Sequence, residues 1–432
     1  MSYNSDAIFP MASHGLVRSA TAMIEDKQEV YRYRWVILVA VWLAYTMLWA
    51  QRLSIPPLAP FLQEDLHLTH AQIGLFMTAA GAGVWLTLLP SGWLTDRFGV
   101  RPILLGGQVL GGISLLAMSL IHSPLMGFVL MGLVGFFVGA LTPATTKAVM
   151  YWFPVRERAT VMGFKQTGVN IGGILMAATL PALALATGWR TAILIVGAIA
   201  ITFGVLAFIL YREFPQQASA SETASGSNRE RLRWSAVREV LTRNILCLSF
   251  GCLFLSLIEF GLMTHLVVYL KEAIVLPVVV AGLGLAVVEG GGAFGKPLNG
   301  FISDFFFRGR RKSTLILIAV IACALCLVVA FLAKSFSLWL LLPVFAVLGF
   351  VTIGWGGLWL TMVGEFSGRE RTGIATGLST MIVVGGSMVG PPIFGLIVDI
   401  TDSYRLAWVF LAICAAISAI LLTAVSEKKK AQ

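Results

Sequence analysis

Charge is what this sequence has least of. Asp, Glu, Lys and Arg supply only 12% of its 432 residues, against about a quarter in an ordinary globular chain. With 58% hydrophobic residues and a mean hydropathy of +0.87, a soluble domain is excluded and a polytopic membrane protein is implied. Metal-ligand patterns are missing as well. Cys247, Cys252, Cys323, Cys326 and Cys414 all fall inside apolar runs without zinc or iron–sulfur spacing, so they read as small apolar fillers and imply no metal. Neither a Gly-x-Ser-x-Gly turn nor a phosphate loop occurs, which argues against an enzyme and leaves no cofactor to expect. No cleavable signal peptide is expected either: residues 1–34 are polar and mixed in charge, and the first span is expected to act as the targeting signal.

What the chain has is apolar length. Twelve runs can cross a bilayer, at roughly 35–57, 72–94, 102–121, 126–150, 159–185, 189–211, 245–270, 278–302, 313–333, 336–361, 372–400 and 405–425. A small, polar stretch from Gln216 to Asn228 divides them six and six and is expected to be a flexible linker. Arg231 to Arg243, with Trp234, Val237 and Leu241 on one side, is expected to lie on the membrane surface as a short basic helix. The expected organisation is a lead at 1–34, a bundle at 35–211, a linker at 212–243, a second bundle at 244–425 and a tail at 426–432. Lysine and arginine sort by side. The lead, the tail and the loops after even-numbered spans hold 23, whereas the opposite loops hold only Arg190, Lys271, Lys334 and Arg405. Both termini are therefore expected in the cytoplasm of a multi-pass plasma-membrane protein, of the bacterial inner-membrane kind. The net charge of +10 then reflects topology, and the expected partner surface is the bilayer rather than a nucleic acid.

A short motif occurs once in each half. Gly92-Trp93-Leu94-Thr95-Asp96-Arg97-Phe98-Gly99-Val100-Arg101 reads as a tight turn between two spans, and Gly300-Phe301-Ile302-Ser303-Asp304 with Arg308 repeats it 208 residues later. A second echo pairs Arg156-Glu157-Arg158 with Arg369-Glu370-Arg371, and Gly172-Gly173 with Gly385-Gly386 at an offset of 213. Duplication is the economical reading. The expected fold is an all-α membrane protein of twelve transmembrane helices in two pseudo-symmetric six-helix bundles. The motif resembles the loop between helices 2 and 3 of the major facilitator superfamily. That resemblance implies a conformational latch formed by Gly92, Asp96, Arg97, Gly99, Arg101, Gly300, Asp304 and Arg308, with the aspartates facing helix N-termini.

Ionisable residues inside a bilayer are functional candidates, because their burial is costly. Arg52 lies about 25 Å along the first span at 1.5 Å per residue; the apolar stretch Ile55 to Leu62 continues past it, so it does not mark a helix end. It either snorkels outward or faces a site. Lys147 and Lys165 flank the turn near Pro154 at similar depth and either snorkel or converge on one anion, with Gln166 adding an amide. Glu289 and Lys296 are seven apart and share a helix face, while Glu259 lies near the middle of the seventh span. These two glutamates are the candidates for proton coupling. His265 is either a relay or a packing residue. Trp355 and Trp359 either line a substrate wall or fill the core. Four basic residues against two glutamates leave a positive interior, which favours an anionic substrate.

Within this frame the chain resembles organic-anion carriers of the anion:cation symporter type. The resemblance rests on Arg52 followed by Pro60-Phe61-Leu62, on Leu68-Thr69-His70-Ala71-Gln72-Ile73-Gly74, and on Pro143, Trp152-Phe153-Pro154 and Glu157-Arg158. It implies cavity-mediated alternating access for small carboxylates, often with proton or ion coupling. Two departures matter. The family often has an acid just before the arginine, where this chain has Gln51, and an arginine and a glutamate around the glycine of helix 4, where Gly135 is flanked by Met131 and Val138. The usual proton site is missing, so coupling would shift to Glu259 or Glu289, and Lys165-Gln166 would replace the lost arginine. The expected function is proton-coupled uptake of a small organic anion by a monomer. The alternatives are proton-coupled efflux of a metabolite or drug, and a non-transporting membrane sensor on the same fold.

Overall fold

The structure is a computed structural model that describes residues 11–88, 90–213, 239–332, 337–368 and 371–426. The flexible linker, most of the basic surface helix, Lys334, the Arg369-Glu370 pair and residues 427–432 of the tail lie outside the described residues. Among the described residues there are sixteen helices and no strand. The first half contains α1 (Met11–Arg52), α2 (Ile55–Leu66), α3 (His70–Thr87), α4 (Pro90–Phe98), α5 (Val100–Met118), α6 (Pro124–Gly139), α7 (Leu141–Trp152), α8 (Val155–Thr187) and α9 (Trp189–Leu210). The second contains α10 (Arg243–Glu272), α11 (Val278–Phe305), α12 (Arg311–Leu332), α13 (Leu338–Ile353), α14 (Gly356–Ser367), α15 (Thr372–Thr401) and α16 (Tyr404–Thr423). Eleven of the resulting rods are long and apolar enough to cross a membrane, and α3 with α4, bent by 56°, makes a twelfth. Each half closes around its own apolar core, and large side chains such as Leu125, Trp339 and Ile400 point outward, as a lipid solvent requires.

Four spans are broken: the second is the one bent by 56° between α3 and α4, and the break in the first has a local cause. The first breaks between α1 and α2, because Pro56 and Pro57 have no N–H to offer the carbonyls of the preceding turn. Arg52 is therefore the last residue of α1, although the span runs on to Leu66. That corrects the expectation that Arg52 marks no helix end: apolar character continued, but the backbone pattern did not. The fourth and tenth spans break at equivalent places, after Gly139 and after Ile353. The lead is also helical in backbone from Met11.

The repeated motif is less of a turn than its length implied. Residues 92–98 belong to α4, and the chain reverses at Gly99 alone, with φ +83°. In the second half the reversal takes the five residues 306–310 and includes Gly309 at φ +76°, a conformation in which a Cβ is strained. Basic residues that follow bind helix ends within their own bundle. Arg101 Nε donates to Phe208 O at 2.7 Å, and Lys312 Nζ donates to Thr423 O at 2.7 Å and Val425 O at 2.6 Å. These cations cap α9 and α16, where unpaired carbonyls collect.

The halves meet from mid-depth to the end remote from the termini. Outermost is the Lys271–Glu64 ion pair, and innermost is the bond from Lys296 to Asn170. Between them α3 packs on α15 through backbone contact. A Cβ on Gly74 would collide with the carbonyl of Pro391, and Thr78 Oγ1 donates to Met388 O at 2.5 Å. That carbonyl is free because Pro392, four residues on, has no N–H. A hydroxyl from one bundle thus satisfies a backbone group orphaned in the other.

Candidate functional site

The charged residues of the interior gather at mid-depth where the bundles meet. Arg52 is 6% exposed, its guanidinium lying over Trp49 at 5.2 Å and Phe260 at 4.8 Å. Its Nη2 reaches Ser387 Oγ at only 3.5 Å, and its buried Nε has no hydrogen-bond partner among the described residues. An arginine so placed holds donors in reserve. Tyr45, seven residues earlier on the same face, sits within electrostatic range of Arg52. It also lies under Lys165, whose Nζ is 4.3 Å from the ring centre.

Lys165 is 2% exposed and donates to Thr145 Oγ1 at 3.3 Å and Thr146 Oγ1 at 3.0 Å. No carboxylate pairs with it among the described residues. Arg52 and Lys165 therefore form a cationic wall around Tyr45, bonded mainly to neutral groups.

The opposing wall is mixed. Glu289 is 1% exposed. Asn170 Nδ2 donates to its Oε2 at 3.0 Å and to its backbone oxygen at 3.1 Å. Lys296 Nζ donates to Asn170 Oδ1 at 2.7 Å, so one amide from the first bundle joins both charged residues of the second. Glu289 Oε1 is buried without a hydrogen-bond partner among the described residues. Glu259 lies within electrostatic range of Lys296, Glu289 and Arg52, with Trp355 in hydrogen-bonding reach. Room for the Glu289 carboxyl against α8 exists because residue 173 is glycine, where a Cβ would collide with it. Gly173→Val is expected to push Glu289 off Asn170 and destabilise the closed interface by about 1–3 kcal/mol, as overpacking does. Thermal unfolding with and without a bound anion checks it: an unaltered melting temperature and unaltered binding would contradict this contact.

Several expected site residues lie elsewhere. Lys147 does not converge with Lys165: its Nζ is held by Asp96 Oδ1 at 2.8 Å and Thr95 O at 3.1 Å. Asp96, expected from the sequence to face a helix N-terminus, is paired with Lys147. The interior excess shrinks to three cations against two glutamates. His265 is remote from a relay position; its Nε2 faces Pro391 O at 2.8 Å and its ring stacks on Phe394 at 4.9 Å. Trp359 donates its indole N–H to Ser379 Oγ at 2.8 Å and packs inside the second bundle, while Trp355 donates to Thr352 O at 2.7 Å at the break before α14. Gln166 is exposed one turn from Asn170 on the same face of α8 and so lines the gap between the bundles.

The latch residues do not join the bundles in this state. Asp96 pairs with Lys147, and Asp304 lies 4.0 Å from Arg311, which also binds Glu365 at 2.6 Å. Arg97 lies over Trp93 and Phe98, and a Cβ on Gly92 or Gly300 would meet nothing within 4 Å. Arg308 takes a left-handed turn at φ +52° beside Gly309.

Gln51 points away from the central cluster. Its Nε2 donates to Gln108 Oε1 at 2.5 Å, and Gln108 Nε2 donates to Ala44 O at 2.5 Å. Both side chains are fully buried, and Val138 closes the same space against Gly111. A neutral amide pair fills the position of Gln51, just before Arg52. Tyr45, Asn170 and Ser387 were not singled out from sequence; only the spacings 45–52 and 166–170–173 mark the first two.

Two helical bundles with a charged cluster at mid-depth on their shared face define the architecture of an alternating-access membrane carrier. The chain belongs to the Major Facilitator Superfamily: that family's model matches residues 38–384 and again 278–432. It is 25% identical over 395 residues to the probable sulfoacetate transporter SauU of Cupriavidus necator, covering 88% of this chain and 90% of that one. It is 27% identical over 444 residues to the membrane sensor protein UhpC of Escherichia coli K12, covering 93% and 94%. It is 24% identical over 417 residues to the probable galactarate/D-glucarate transporter GudP of Bacillus subtilis, covering 90% and 91%. Among solved structures, a bacterial homolog of the human lysosomal transporter Spinster, inward-facing and unoccupied, superposes with a TM-score of 0.76 at 19% identity, covering 91% of this chain and 98% of that one. That likeness concerns the fold.

Proposed function

We propose that this protein is a secondary transporter that takes up a small organic anion by alternating access, coupled to protons. One observation carries the reading: Arg52 and Lys165 are buried beside Tyr45 with no carboxylate in ion-pairing contact among the described residues, Glu259 reaching Arg52 only at longer electrostatic range. Buried cations left in that condition are costly unless an anion visits them. The names of the relatives, which include a sulfoacetate and a galactarate/D-glucarate transporter, fit a ligand with a carboxylate or sulfonate head. Arg52 and Lys165 hold that head, and Gln166 borders its route. In the opposite state the terminus side closes, and the open space at Gly92 and Gly300 becomes the place where the halves meet, with Asp96 and Asp304 as the latch.

Proton coupling falls to Glu259 and Glu289. With Gln51 and Val138 neutral, these two stand beside Lys296 in the central cluster. A proton bound there frees Lys296 to attract the anion and cancels charge that the membrane potential opposes, at about 2.3 kcal/mol per 100 mV. In proteoliposomes, Glu259→Gln with Glu289→Gln is expected to abolish anion-driven proton uptake while leaving anion exchange measurable. Undiminished proton uptake in both single variants and the double variant removes these glutamates from the mechanism. The likeness to UhpC makes a sensor the second reading. A protein that binds the anion with unchanged affinity yet never accumulates or exchanges it would establish that alternative.

A further inference from the structure

A second polar cluster lies far from Arg52, at the outer end of the interface. His70 is the first residue of α3, whose N-terminus carries unpaired N–H groups. Thr69 and Gln72 close a capping box there. The N–H groups of His70 and Ala71 instead donate across the interface to Asp399, at 2.9 Å to Oδ1 and 2.8 Å to Oδ2. The His70 ring does the same with both nitrogens. Nδ1 stands 2.7 Å from Asp399 Oδ1 on α15, and Nε2 stands 3.0 Å from Glu272 Oε2 at the end of α10. Glu272 Oε2 also accepts the Tyr404 hydroxyl at 2.6 Å. Both carboxylates are thus occupied as acceptors, and a neutral imidazole has only one N–H to give. The geometry is complete only for an imidazolium.

We propose that His70 is a proton-binding site, separate from the central glutamates, whose charged ring pins α3 to α10 and α15 and closes the outer mouth of the transporter. The charged and titratable groups that face it are Asp399, Glu272, Tyr404 and, at longer range, His265. Lys271 sits beside Glu272 and is itself held by Glu64 across the interface. A cavity of about 530 Å3 lined by Glu272, Tyr404, Asp402 and Arg405 lies on the Glu272 side of the clasp. When His70 loses its proton, one carboxylate faces a lone pair instead of a donor, and the two carboxylates repel each other across the ring. The mouth is therefore held shut at low pH and loosened as pH rises. This inference does not depend on which anion is carried, nor on Glu259 and Glu289.

The test uses spin labels at His122 and Val275, both exposed at the outer end and on different bundles, with the five native cysteines replaced by alanine. Pulsed EPR distances are recorded on the whole protein in nanodiscs, without anion, at about pH 5 and about pH 8, on either side of the ordinary imidazole range. The well-separated population is expected to rise about tenfold at the higher pH, the scale of one lost charge-assisted bond. His70→Gln is expected to remove the pH dependence, His70→Lys to keep the mouth closed at both values, and the Glu259→Gln, Glu289→Gln double variant to keep the shift. Identical distributions at both pH values in the parent protein, or a full shift surviving in His70→Gln, overturns the proposal.

Discussion

Arg52→Gln is expected to weaken binding of the transported anion by about 10²- to 10⁴-fold, corresponding to roughly 3–5 kcal/mol for one broken buried pair. Arg52 ends α1 at a proline-made break and lies between two aromatic faces. Its environment therefore fixes its direction while leaving its Nε unpaired. Glutamine keeps a polar group of moderate size but supplies neither the charge nor the fork. Lys165→Met should cost a similar amount, because the Thr145 and Thr146 hydroxyls that now accept from Lys165 cannot replace its charge. Isothermal titration of purified protein with a carboxylate or sulfonate ligand checks both. Near-native affinity in both variants would mean that the anion is held elsewhere.

The second large effect belongs to Gly74. Its backbone is in contact with the Pro391 carbonyl and the Pro392 nitrogen of the other bundle. A side chain there meets backbone rather than a movable rotamer, and backbone cannot retreat without separating α3 from α15. Gly74→Leu should therefore disfavour closure at the end remote from the termini, the outer face in the proposed topology, by about 1–3 kcal/mol, shifting the population toward opening there by ten- to a hundredfold. Ser387, 1% exposed in the closed state, reports this as a cysteine. A Ser387→Cys protein lacking the native cysteines should resist an impermeant thiol reagent added outside, and adding Gly74→Leu should make it react quickly. Equal, slow labelling in both proteins would show that this contact is not the seal.

The fold was legible in composition and spacing because a bilayer imposes length and polarity on every span. The duplicated motif was legible for the same reason: its charges can sit only at a membrane surface. The break in the first span was written in Pro56-Pro57, yet hydropathy is blind to a missing N–H. Arg52, Lys165, Glu259, Glu289 and Lys296 were visible singly, since each is expensive in an apolar run. Their partners were not. Asn170 and Ser387 are unremarkable polar residues until the other bundle is placed beside them, and the Asp96 that holds Lys147 lies 51 residues away in sequence. The His70 clasp escaped notice because it forms at a span end, where a histidine costs little, and its meaning depends on two carboxylates from the opposite half.

The central claim is that an anion and a proton cross together through the Arg52–Lys165 site. The most direct test is a pH-electrode record of proteoliposomes given sulfoacetate or glucarate from outside, in wild type and in Arg52→Gln. The account predicts external alkalinisation on anion addition to wild type and a flat trace for the variant. Alkalinisation that persists undiminished in Arg52→Gln, or labelled anion accumulating in wild type with no proton movement, would contradict it.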